Sequence, residues 1–110
     1  MALPIAYRRK VGRDLAAAYG WYEDQRIGLG AEFLSAVDAS FNAIQEYPGM
    51  FSRVHDDVRR AIVSRFPYAV FYRIEPRQVV VLAVLHMSRD PKLWPYPTIT
   101  NAREASSSYA

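Results

Sequence analysis

The chain of 110 residues contains no cysteine, which excludes a disulfide framework and any cysteine-ligated zinc site and leaves nothing that marks an oxidising compartment. Histidine is nearly as scarce, with only His55 and His86. His55 stands beside Asp56 and Asp57 but lacks the second convergent histidine or helix-face repeat of a metal site, so no metal is expected. The five glycines form no phosphate-cradling loop, and the Gly-x-Ser-x-Gly and His-Glu-x-x-His patterns are absent. Nucleotide-dependent and hydrolase-type chemistry is disfavoured, and no cofactor is expected. No apolar run approaches the ~20 residues of a membrane-spanning helix. Near the N-terminus, Arg8, Arg9 and Lys10 follow a short apolar stretch, the reverse of the signal-peptide order, so a cytoplasmic location is expected.

Hydrophobic residues make up 51% of the chain and aromatics 14%, too rich a mixture for disorder and enough for one compact core. A single domain over residues 1–97 is expected, with residues 98–110, which end Ser-Ser-Ser-Tyr-Ala, as a flexible tail. Net charge is +3, a mild bias toward anionic partners that many ordinary enzymes share.

The organising stretch is residues 58–91, VRRAIVSRFPYAVFYRIEPRQVVVLAVLHMSRDP. Residues 79–85 are seven consecutive aliphatic residues, the signature of a strand buried on both faces. Two further strands precede it, one from Val58 and one over residues 68–75. Pro67 forces a turn or bulge between them, and the sequence Glu75-Pro76-Arg77-Gln78 makes a hairpin loop wider than two residues. Upstream, residues 3–10 suit a first strand. Val11, Leu15, Ala18, Tyr19 and Tyr22 recur at helical spacing over about residues 12–25, and Phe33 or Leu34, Val37, Phe41 and Ile44 carry a second stripe that stops at Tyr47-Pro48-Gly49. Gly28 and Gly30 read as the tight connection, and residues 50–57 as a loop. Two antiparallel helices need a surface to bury against, and the sheet is the only large one. The expected fold class is α+β: a mainly antiparallel sheet, β-α-α-β-β-β in chain order, with both helices on one face.

Polar groups crowd the exit of the last strand, where His86 is followed by Arg89, Asp90 and Pro91. A metal-free phosphodiester-cleaving site needs a proton-transfer group near neutral pKa and a cation for the pentavalent phosphate, and His86 and Arg89 are of those types. The alternative is local: Arg89 and Asp90 bridge each other while His86 bonds within the fold. Arg59, Arg60, Tyr72 and Arg73 lie on the neighbouring strands, and Trp94 in the proline-rich stretch after Pro91; these are candidate binding residues.

In order, a strand, two helices, Arg59-Arg60, Arg65-Phe66-Pro67-Tyr68, Phe71-Tyr72-Arg73, the apolar strand and His86-x-x-Arg89-Asp90-Pro91 resemble the RelE/ParE superfamily of type II toxins over about residues 5–94. The Phe-Pro-Tyr and His-x-x-Arg-Asp blocks look most like its ParE branch, often labelled plasmid stabilisation proteins. The resemblance implies a toxin neutralised by a cognate antitoxin, with the first strand beside the last. ParE-type members poison DNA gyrase; RelE-type members cut mRNA in the ribosome. In the second case His86 would be general acid or base and Arg89 the phosphate-stabilising cation. Ala69 stands near where the RelE branch carries another arginine, and its lysine-rich strand is here Arg59-Arg60-Ala61-Ile62. The non-enzymatic, gyrase-binding reading is therefore preferred, with ribosome and mRNA as the alternative target.

Overall fold

The computed structural model describes residues 2–88. The elements are β1 (Ile5–Tyr7), α1 (Arg9–Gln25), α2 (Leu29–Glu46), a 3-10 turn (Pro48–Met50), β2 (Arg53–His55), β3 (Val58–Ile62), β4 (Tyr68–Ile74) and β5 (Val79–His86). They form one five-stranded sheet in the order β1-β5-β4-β3-β2. The pairing of β1 with β5 is parallel and the other three pairings are antiparallel. This is the expected α+β architecture, with the first strand beside the last and β5 flanked on both sides.

Three boundaries differ from the sequence reading. Residues 8–10 leave β1 early: Arg8 donates its backbone N–H to Val81 and the helix begins at Arg9, which lets Val11 reach the core fully buried. The stretch read as a loop before Val58 contains β2, whose short, irregular pairing with β3 leaves too little periodicity to read. The two glycines do different jobs. Gly28 makes the turn with φ 91°, whereas Gly30 lies inside α2, where a Cβ would meet the Tyr19 carbonyl oxygen at 2.8 Å. Its missing side chain is what lets the helices approach. Glu23 of α1 secures that contact by accepting the N–H groups of Gly28 and Gly30, both at 2.9 Å, which satisfies donors that α2 leaves free at its start.

The helix hairpin covers one sheet face. Val11, Ala18, Tyr22, Phe33, Val37 and Ile44 pack with Ala61, Val70, Tyr72, Val79, Val81 and Val84. At one end Tyr22, Phe33, Phe66 and Tyr68 form an aromatic knot with ring centroids 4.9–6.1 Å apart, a geometry that adds about 0.5–1.5 kcal/mol per pair beyond burial. Of the expected stripes, Phe33 rather than Leu34 is the core residue. Tyr19 sits at the rim and Phe41 is half-buried, whereas Tyr22 and Ile44, the next stripe residues along each helix, are buried.

One irregularity sets the faces. Tyr72 pairs with Val81 but Phe71 pairs with Ala83, so Leu82 is an extra residue in β5. Leu82 and Ala83 then face the same side, and every β5 residue beyond them is reversed relative to simple alternation.

Candidate functional site

Arg59 and Tyr72 sit opposite each other in β3 and β4 on the helix-bearing face. Both spend their polar atoms on the connection after α2. The Tyr72 hydroxyl donates to the Pro48 carbonyl at 2.6 Å, and Arg59 Nη1 donates to the carbonyls of Phe51 at 2.6 Å and Gly49 at 3.3 Å. Burial pushes the Tyr72 hydroxyl up to about 12, with the Arg59 cation pulling the other way. The pair holds the 3-10 turn against the sheet.

Arg60 and Arg73 occupy the opposite face, alongside Phe71 and Val58 respectively. Arg73 Nε donates to Glu75 at 3.1 Å. Glu75 also accepts from Gln78 at 3.0 Å, and this hydrogen bond, followed by the Arg73 contact, holds its carboxyl below the usual range. Arg60 has no hydrogen-bond or ion-pair partner among the described residues.

His86 pairs with Tyr68 and, because of the extra residue, lies on the helix-bearing face. Its ring meets the Tyr68 ring edge-on at 5.2 Å. Nδ1 accepts the Ser88 backbone N–H at 3.1 Å, so the neutral ring carries its proton on Nε2. His86 borders an open cleft of about 610 Å³ lined by Trp21, Tyr22, Pro67, Tyr68 and Ser88. Trp21, which lies off the apolar stripe of α1, is 59% exposed at its rim. Among the described residues no cation lines this cleft.

The five expected residues within the described chain are thus divided between two sheet faces, Arg59, Tyr72 and His86 on one and Arg60 and Arg73 on the other. Arg89, Asp90 and Trp94 lie outside the described residues. Sequence reasoning did not find that Tyr68 and Trp21 surround His86. Counting back from the β4-β5 turn sets Leu85 rather than His86 against Tyr68, and only the extra residue corrects the register. Among the described residues no three His, Cys, Asp or Glu side chains converge on a point, and no helix is long and apolar enough to cross a membrane.

A helix hairpin on one face of a short, mostly antiparallel sheet, with β1 parallel to β5 and a histidine at the exit of β5, defines a RelE/ParE-type toxin fold. The family model for the ParE toxin of type II toxin-antitoxin system, parDE, matches residues 5–91, and the chain belongs to that family. A solved chain of the chromosomal ParDE TA system from P. aeruginosa shares the fold at TM-score 0.70 and 15% identity, covering 79% of this chain and 98% of that one. No curated protein matches the chain significantly. The protein is the toxin of a toxin-antitoxin module, with an antitoxin as its partner.

Proposed function

We propose that this toxin acts by binding and poisoning DNA gyrase and breaks no bond itself. The observation that carries the reading is the separation of His86 from the sheet arginines. His86 faces the helices beside Tyr68, while Arg60 and Arg73 face the other way. Arg59, which shares the face of His86, is held by the carbonyls of Gly49 and Phe51. A metal-free nuclease needs its proton-transfer group and its phosphate-binding cation on one phosphate, and among the described residues no such pair assembles.

Arg60 and Arg73 are then contact residues for the target, with Arg59 and Tyr72 supporting the loop behind them. Purified toxin should block supercoiling by gyrase and leave a defined message intact on translating ribosomes. The Arg60→Ala/Arg73→Ala double variant should weaken the block without unfolding the protein. Message cut in codon register, with cutting lost in both His86→Ala and Arg89→Ala, would overturn the proposal in favour of the endoribonuclease.

A further inference from the structure

The positive charge of this chain is local. Residues 8–13, Arg-Arg-Lys-Val-Gly-Arg, hold four of the 14 Lys and Arg and none of the 11 Asp and Glu; without them ten cations face 11 carboxylates, a net charge of −1. All four basic side chains are exposed. Lys10 reaches Asp14 at 3.0 Å, whereas Arg8, Arg9 and Arg13 have no side-chain partner among the described residues. The fold gains nothing from them. Arg8 is the N-cap of α1 and makes no side-chain capping bond, and the first turn holds no acidic residue, although a helix favours an acceptor at the first position and negative charge in the turn after it. Arg9 and Arg13 lie one turn apart on the same helix face, where like charges repel. Local preferences are broken here with no compensating contact inside the protein, which is the pattern of residues kept for a partner.

We infer that Arg8, Arg9, Lys10 and Arg13 form a contact surface for the phosphate backbone of duplex DNA, separate from the sheet face that carries Arg60 and Arg73. The guanidinium fork matches phosphate oxygens two at a time. Arg9 and Arg13 are about 6 Å apart along the helix axis, comparable with successive phosphates of one strand. A protein partner fits less well, because the centre of a protein interface is depleted of charge and built on apolar anchors. Here Val11 is fully buried, and Tyr7, 56% exposed beside the patch, already sets its ring against Phe41 at 6.3 Å. A single strand needs free aromatic faces along a groove, whereas these cations ride on the outside of α1. Contacts of this kind position a duplex without reading its bases. DNA rather than RNA follows from the proposed target, a step that rests on that reading, since gyrase works on duplex DNA. The helices cover the face opposite Arg60 and Arg73, so the toxin has one side for the enzyme and another for the DNA it holds.

The test uses the full chain and a labelled duplex DNA of mixed sequence, followed by anisotropy between about 50 and 200 mM salt. For the native protein log K should fall against log salt with a slope of about −3 to −4, the value for four neutralised phosphates. The Arg8→Gln/Arg9→Gln/Arg13→Gln variant should bind at least about tenfold more weakly, with a slope near about −1. It should melt no lower than the native protein; a clear loss of melting temperature would make the three arginines structural and overturn the inference. Replacing the same three by lysine keeps the charge and should keep the slope. A glutamine variant that binds the duplex as the native protein does would overturn the inference. Tighter binding of the native protein to polyglutamate, or to duplex RNA of the same sequence, would overturn it too, in favour of an acidic protein or an RNA. Supercoiling by gyrase is read separately. If the native protein binds the duplex with this slope but leaves supercoiling untouched, the patch stands and the gyrase reading falls; blocked supercoiling with no duplex binding does the opposite.

Discussion

Replacing Tyr72 by phenylalanine isolates one buried hydroxyl. In the native chain it donates to the Pro48 carbonyl at 2.6 Å from a side chain with no exposed surface. At neutral pH Tyr72→Phe loses that hydrogen bond and leaves a part-exposed carbonyl that water reaches, so the cost should be about 1–1.5 kcal/mol. Alkaline pH reverses the ranking. Burial raises the hydroxyl from 10.0 to about 12, so the unfolded chain ionises first and the folded chain holds its proton. Stability from this group is complete below the unfolded value and is lost as pH rises through the folded one, at about 1.4 kcal/mol per pH unit, or roughly 3 kcal/mol in all. The phenylalanine variant carries no such loss. Urea denaturation of both proteins from pH 8 to 11.5 should give stability curves that converge above pH 10 and cross near about pH 11. Tyr22, also raised by burial, titrates in both proteins and cancels in the difference. Parallel curves, with the variant less stable by a constant amount throughout, would refute the reasoning.

Gly30→Ala should destabilise by about 1–3 kcal/mol despite the better helix propensity of alanine, because the new methyl meets backbone of α1. Gly20→Ala, with nothing within 4 Å, should stabilise by about 0.5–1 kcal/mol, and thermal melting of the two variants separates close packing from propensity. Glu23→Ala removes the acceptor for two N–H groups at the start of α2 and should cost about 1–2 kcal/mol in denaturant unfolding. Phe33→Ala, at a fully buried site in the aromatic knot, should cost about 3–5 kcal/mol, and half-buried Phe41→Ala distinctly less; equal losses would contradict the packing described.

The sequence by itself determined the layer plan. The aliphatic residues 79–85 required a strand with neighbours on both sides, the stripes through Tyr22 and Phe33 required helices with one buried face, and only the sheet was large enough to take them. It also carried the family, through blocks that keep their order and spacing. Local chemistry did not carry the close approach at Gly30, since a glycine in a turn and a glycine under another helix look alike in a chain. Nor did it carry β2, because a three-residue strand has no period. The division of the candidate site was decided only in the tertiary structure. Simple alternation along β5 sets His86 on the face of Val80 and Leu82, together with Arg60 and Arg73. The extra residue at Leu82 turns His86 to the helices instead. A strand has a period of two, so one inserted residue reverses every side chain beyond it, and a run of seven aliphatic residues suited to either face offers no mark of where that reversal falls.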